Sequence, residues 1–359
     1  MSEKLLMKGN EALAEAAIRA GLKGYFGYPI TPQSELLEYL SHHLNNRGGS
    51  FLQAESELAA INMVYGAAGA GVRTMTSTSS PGYSLMQEGV SYIACAEIPC
   101  LLVNVVRGGP GLGTIQPSQG DYFQAVKGGG HGDYKLIVLA PDSVQEMADF
   151  VYLGFDLADK YLMPVLILTD GALGQMMEPV TFPDYDVEKN KVDHSSWATT
   201  GKLTSRSQNV ITSLHIEAEK MEDINIHLQK KYKTIQENEV RYEAINTEDA
   251  DIIIVAFGLV ARVAHKAMEN ANKKGLKVGM IRPITLFPFP TEILLTLSKK
   301  VDQFLVVEMN AGQMVEDVRL AVNGKIPVDF YGRMGGVIPQ PSEIVDKLIQ
   351  MDSSKTHSK

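Results

Sequence analysis

Cysteine is nearly missing from this sequence: its 359 residues hold two, Cys95 and Cys100, separated by Ala96-Glu97-Ile98-Pro99 inside an apolar stretch. Two thiolates cannot ligate a four-cysteine iron–sulfur cluster, and their spacing matches no common ferredoxin run. They read as buried core thiols, so any electrons released by this protein's chemistry must leave through another chain. Positive charge is also in deficit. Lysine and arginine number 33 against 42 aspartates and glutamates, a formal net charge of −9, which leaves no uniform basic surface for nucleic acid or an anionic membrane. No apolar run approaches the ~18 residues of a membrane span. The opening stretch Met1–Ala17 has polar residues where a signal peptide needs its apolar run, so the cytoplasm is the expected compartment. The eight histidines are scattered without metal-ligand spacing. G-x-x-x-x-G-K-[ST] is absent, and the glycines of Gly108–Gly113 do not open a helix as a dinucleotide fingerprint must, which excludes an independent nucleotide-binding enzyme.

What is present is ordinary globular composition, 45% apolar and 21% charged, over a length that exceeds one core. Apolar runs alternate with helical patterns. Expected strands are Tyr25–Tyr28, Phe51–Gln53, Arg73–Thr78, Cys100–Val106, Leu136–Ala140 and Val165–Thr169. Between them the spacing predicts helices, with Asn10, Ser56 and Ser143 as caps. Six strands alternating with helices imply a doubly wound parallel sheet over residues 1–183. A polar stretch with one amphipathic helix, 184–249, reads as a linker wrapping the surface. A second alternation from Ile252 to Tyr331 predicts a smaller α/β domain over 250–352, followed by a disordered tail, 353–359.

Ligands of such sheets gather where strands end, so the corners are the places to search. Tyr28-Pro29-Ile30-Thr31-Pro32 brackets one hydroxyl with two prolines; Thr31 is placed to cap the next helix and Pro32 to begin it. Ser79-Ser80-Pro81-Gly82 follows the third strand, and Arg107 opens a glycine-rich loop after the fourth. Hydroxyls and free N–H groups at a helix start suit anionic groups. His131 lies in a further flexible corner, Gly128–Asp133. Glu55 and Glu57 flank the start of an alanine-rich helix. Favourable charge in a first turn explains one of them. Glu57 precedes almost wholly apolar sequence, and a carboxyl at the start of a buried helix can act in proton transfer.

As a set, these residues resemble the alpha subunit of 2-oxoacid:ferredoxin oxidoreductases. The resemblance runs through Tyr28–Pro32, Gln53–Glu57, Thr78–Gly82, the Arg107 loop, His131-Gly132-Asp133, Arg282–Pro290 and Glu308–Gln313, in order along nearly the whole chain. It implies that the first domain is the pyrimidine-binding half of a thiamine diphosphate site and the second is transketolase C-terminal-like. By the same resemblance Glu57 hydrogen-bonds the pyrimidine ring nitrogen, Thr31 contacts the 2-oxoacid and Arg107 pairs with its carboxylate. Ser79, Ser80, Pro81, Gly82 and His131 are candidates for a substrate or cofactor loop. Diphosphate and Mg²⁺ are expected on a beta subunit, since no Gly-Asp-Gly followed by Asn-Asn occurs here. Iron–sulfur clusters belong to partner subunits, with gamma and ferredoxin-type chains, ferredoxin and coenzyme A completing the reaction. The loop Arg107–Pro117 looks most like subunits for branched-chain acids such as 3-methyl-2-oxobutanoate. 2-Oxoglutarate and pyruvate remain alternatives, as does a non-catalytic assembly subunit.

Overall fold

The computed structural model describes residues 4–187, 189–190, 192–202 and 205–356. Cys100–Val106 is the central strand of the larger sheet, and all seven of its residues are buried. A strand covered on both faces needs no polar alternation, and each buried Val or Leu contributes about 1.5–3 kcal/mol. Around it a seven-stranded sheet runs in the order Thr285–Phe287, Ile137–Leu139, Pro164–Asp170, Cys100–Val106, Thr74–Thr78, Gly24–Gly27, Ser50–Gln53. The last six are parallel, as the sequence pattern predicts.

From Gly24–Gly27 the chain moves outward to Ser50–Gln53, then crosses back to Thr74–Thr78 on the other side. The order of the sheet therefore reverses between Gly27 and Thr78. In doubly wound sheets that reversal opens a crevice beyond the strands' carboxyl ends, because the two connecting helices depart to opposite faces.

A second sheet holds Val328–Gly332, Gln303–Glu308, Ile252–Val255, Val278–Pro283 and Tyr242–Ile245. Two strands cross the boundary expected at 249/250. Tyr242–Ile245, read from sequence as linker, pairs antiparallel with Val278–Pro283 at the edge of the second sheet. Thr285–Phe287 adds an antiparallel edge to the first. The linker helix is Ala218–Asn238, shorter than the span of about Leu214–Tyr242 over which the amphipathic pattern runs. The final helix, Pro341–Thr356, carries the chain through Ser353 to Thr356 where a disordered tail was expected; 357–359 lie outside the described residues.

Caps separate in an instructive way. Ser56 accepts from Ala59 N at 3.2 Å and Ser143 from Glu146 N at 3.2 Å, as expected. Asn10 is no cap, because the helix already starts at Gly9; its Nδ2 instead donates to Pro32 O at 2.8 Å and to Glu35 Oε2 at 3.0 Å. Thr31 is no cap either. The helix after it is Ser34–His43, behind Gln33, and Pro32 stands outside it, joined to Thr31 by a cis peptide.

Arg282 locks the two units together. It is 1% exposed, donates to both carboxylate oxygens of Glu146 at 2.7 Å and to Glu243 Oε2 at 2.8 Å, and has Asp142 at 3.5 Å. Burial, and then the neighbouring Glu146, push Asp142 up to about 6. Removing the guanidinium leaves partly buried carboxylates facing one another, which costs more than the pair itself contributes. Arg282→Ala is expected to lower stability by roughly 3–5 kcal/mol in urea unfolding; a loss within experimental error would show that the network carries no weight.

Candidate active site

The corners after Gly27, Thr78 and Val106 end side by side at the reversal, and two buried groups of opposite charge lie among them. Glu57 begins the helix Glu57–Gly69 and is 5% exposed. Among the described residues no hydrogen bond reaches its carboxylate. Glycine at position 82 is what gives it room: a Cβ there would lie 2.4 Å from Glu57 Oε1 and 2.1 Å from Thr78 Oγ1. Thr78 Oγ1 and Ser79 Oγ are themselves buried without partners. An acceptor and one hydroxyl thus converge on a glycine with a second orphaned hydroxyl on the adjoining residue, and the fold satisfies none of them, although buried polar groups are normally hydrogen-bonded.

Arg107, at the end of the central strand, is 8% exposed. Its Nη1 donates to Thr31 O at 2.9 Å and its Nη2 to Leu112 O at 3.1 Å. Nε is buried with no acceptor, and among the described residues no carboxylate forms an ion pair with it. Two of five N–H donors are used. The remainder belong to a buried cation with no counter-ion, which suits an anionic ligand able to accept two parallel hydrogen bonds.

Ser80 joins these two halves. Its Oγ lies 3.1 Å from Arg107 N and 3.3 Å from Arg107 O. Asn104 Oδ1 accepts from Ser80 N at 2.9 Å, and Asn104 Nδ2 donates to Asp121 Oδ2 at 2.9 Å. Burial is the largest influence on Asp121 and pushes its carboxyl up, against the opposing bonds from Ser80 and Asn104. Asn104 and Asp121 were not singled out as site residues from sequence, and Thr78 entered only as the first residue of the Thr78–Gly82 corner. Asn104 left a readable trace: it is the one polar residue in the strand Cys-Leu-Leu-Val-Asn-Val-Val, near its carboxyl end.

The structure therefore brings together Thr31, Glu57, Ser79, Ser80, Pro81, Gly82 and Arg107. Glu55 is exposed, two residues before buried Glu57. His131 stands apart, exposed and edge-on to Tyr92 at 6.0 Å between ring centroids, with its backbone carbonyl accepting from Ser91 Oγ. Ser91 lies roughly three turns along the helix from Ser80, about 16 Å by the helical rise.

Residues 15–256 match the family profile described as pyruvate flavodoxin/ferredoxin oxidoreductase, thiamine diphosphate-binding. Residues 250–344 match pyruvate:ferredoxin oxidoreductase core domain II. The chain belongs to the 2-oxoacid:ferredoxin oxidoreductase family. It is 50% identical over 351 residues to a ketoisovalerate oxidoreductase subunit VorB of Methanothermobacter thermautotrophicus, covering 97% of this chain and 99% of that one. To a 2-oxoglutarate synthase subunit KorA of Methanothermobacter marburgensis it is 36% identical, covering 98% and 100%. Among solved structures, the 2-oxoglutarate:ferredoxin oxidoreductase of Magnetococcus marinus superposes with a TM-score of 0.87 at 30% identity over 97% of this chain; the chain spans 65% of that structure's length. A split-gene transketolase, at 13% identity and a TM-score of 0.55, shares the fold.

Thiamine diphosphate, the cofactor of this oxidoreductase family, can be tested against the residues present. Glu57, Thr78 Oγ1, Ser79 Oγ and the space at Gly82 fit the polar edge of a ring. For the diphosphate and its metal the chain offers less: no group of three or more His, Cys, Asp or Glu side chains among the described residues is arranged to hold a metal ion. Gly82→Ala tests the ring end. Pushing the Glu57 carboxylate aside by an ångström is expected to lower 2-oxoacid turnover in the assembled oxidoreductase about 100-fold, with near-native circular dichroism; unchanged turnover would remove Glu57 from the site.

Proposed function

We propose that this chain is the alpha subunit of a 2-oxoacid:ferredoxin oxidoreductase acting on a branched-chain 2-oxoacid, 3-methyl-2-oxobutanoate, in a coenzyme A-dependent oxidative decarboxylation. The observation that carries the reading is Arg107, a buried guanidinium without a counter-ion, held by Thr31 O beside an unpartnered Glu57 corner. For the substrate, support comes from the 50% identity to a ketoisovalerate oxidoreductase subunit against 36% to a 2-oxoglutarate synthase subunit.

In this reading the 2-oxoacid carboxylate takes the free Nε and Nη donors of Arg107, and Thr31 Oγ1 faces the substrate from the neighbouring corner. Glu57 accepts a hydrogen bond from a ring nitrogen of the cofactor and holds that nitrogen's proton in place; the Thr78 and Ser79 hydroxyls line the same edge. Thiamine diphosphate, when bound, supplies the nucleophilic carbon and the electron sink that let CO₂ depart. The corners also exclude water from Arg107, which strengthens its grip because screening falls with local dielectric.

Residues 1–183, with the edge strand Thr285–Phe287, serve as the pyrimidine-side domain; the segment from 184 to the end of the helix Ala218–Asn238 serves as a strap; and the unit that begins with the strand Tyr242–Ile245 serves as a transketolase C-terminal-like domain that buttresses the Arg107 loop. A beta subunit holds the diphosphate and Mg²⁺. Gamma and ferredoxin-type subunits carry electrons through iron–sulfur clusters to ferredoxin, for which this chain's cysteines are unsuited: Cys100 is buried and Cys95 half-buried, and burial pushes both thiols up. His131 is assigned no part in the corner cluster. No helix among the described residues is long and apolar enough to cross a membrane.

Co-expression with candidate beta, gamma and ferredoxin-type subunits, followed by coenzyme A-dependent reduction of a viologen dye, tests the proposal. The highest kcat/KM is expected with 3-methyl-2-oxobutanoate. Preference for 2-oxoglutarate or pyruvate would correct the substrate, and inactivity of a fully loaded complex toward all three would leave a subunit that serves assembly alone. Glu57→Gln in the active complex is expected to reduce kcat by about 100-fold or more with KM little changed, read in the same assay; if Glu55→Gln has that effect and Glu57→Gln does not, the assignment of the acid is wrong.

A further inference from the structure

The loop that follows Arg107 does more than turn the chain. Arg107 and Pro117 form an antiparallel bridge, Gly108 N donates to Gln116 O at 2.9 Å, and Thr114 N donates to Gly108 O at 2.8 Å. Gly113, at φ +64, passes so close that a Cβ on it would lie 1.8 Å from Gly108 O. The loop is a fixed hairpin, and its tip is defined by the backbone. It lies over the strand ends: the Ile115 carbonyl approaches Gly171, just beyond Pro164–Asp170, where Pro32 also packs.

At that tip stands Leu112, 83% exposed. Single exposed leucines are common and need no explanation. This one differs in what holds it, because its own carbonyl oxygen accepts from Arg107 Nη2 at 3.1 Å. The guanidinium is clamped between Thr31 O and Leu112 O, so an anion on the free donors would lie next to the backbone of residue 112. The loop from Gly108 to Gln116 reads Gly-Gly-Pro-Gly-Leu-Gly-Thr-Ile-Gln and holds no titratable side chain. A second carboxylate on the ligand would find no cation there, whereas an aliphatic tail would find the leucine.

We infer that Leu112 is a specificity-determining residue, whose side chain covers the branched alkyl group of the 2-oxoacid held by Arg107. The inference rests on the proposed oxoacid function and deepens it. An apolar contact of this kind discriminates between acids differing by a few methyl groups about 10- to 200-fold. Pyruvate, with only a methyl group, has little to lose when the contact goes.

The test uses the assembled, cofactor-loaded complex carrying Leu112→Ser or Leu112→Met. Because the Arg107 clamp is a backbone carbonyl, neither variant removes it. The ratio of kcat/KM for 3-methyl-2-oxobutanoate to that for pyruvate is expected to fall about tenfold or more in Leu112→Ser and to recover in Leu112→Met. Isothermal titration of 3-methyl-2-oxobutanoate into the cofactor-free complex is expected to show a matching weakening in Leu112→Ser. An unchanged ratio in an active Leu112→Ser complex would overturn the inference, as would a parallel loss toward both acids or a failure to assemble, which would assign Leu112 to a subunit contact. If the unaltered complex turns over neither acid, the oxoacid reading itself fails, and the inference falls with it.

Discussion

A buried positive charge with no negative partner is the constraint around which the active corner is arranged. Among the described residues two arginines are deeply buried, and the fold treats them in opposite ways. Arg282 is surrounded by Glu146, Glu243 and Asp142. Arg107 has two carbonyl oxygens and a free Nε. Desolvating an ion costs several kcal/mol, and carbonyl dipoles offset only part of that. A fold keeps such a group when a ligand completes it, and the same reasoning applies on the neighbouring corner to Glu57, an acceptor in want of a donor.

Holding a group in that state demands rigidity, and the second unit supplies much of it. Gln119, in the segment after the Arg107 hairpin, exchanges hydrogen bonds of 3.0 Å in both directions with the backbone of Met309, and donates through Nε2 to Phe257 O at 2.8 Å. Asn310 Nδ2 donates to Gln119 O at 2.9 Å. Met309 and Asn310 are placed in turn by Glu308, a buried carboxylate that accepts from Gln313 N, Met314 N and Val315 N. Burial is the largest influence on Glu308 and raises its pKa, while those donors oppose the rise. Gly335 and Gly336 bring backbone against Gly108 and Gln116. The smaller α/β unit thus presses on the hairpin whose tip clamps Arg107, and the edge strand Thr285–Phe287 stitches it to the larger sheet.

The sequence made the larger sheet legible because both faces of its strands are covered and the apolar runs need no partner to be recognised. Ser56 and Ser143 were equally plain, since each cap acts within one turn of its own helix. Where the sequence misled, long-range contacts had outcompeted local preference. Asn10 stands inside its helix and spends its side chain on Pro32 O and Glu35 rather than on a cap, and Thr31 is held by its carbonyl to Arg107, 76 residues away. Tyr242–Ile245 and Thr285–Phe287 are too short to announce themselves as edge strands. In the site, Glu57 and Arg107 stood out as charges next to apolar sequence. Thr78 and Asn104 did not, because a hydroxyl or amide inside a strand becomes informative only when its partner, or lack of one, is visible.

If Arg107 is kept unpaired for a ligand carboxylate, that ligand must stabilise the native state through this side chain. The direct measurement is the thermal unfolding midpoint of the cofactor-free complex, wild type and Arg107→Met, with and without saturating 3-methyl-2-oxobutanoate. The account predicts an upward shift of the wild-type midpoint on adding the acid, as binding linkage requires, and no shift in Arg107→Met. Equal shifts in the two proteins would contradict it.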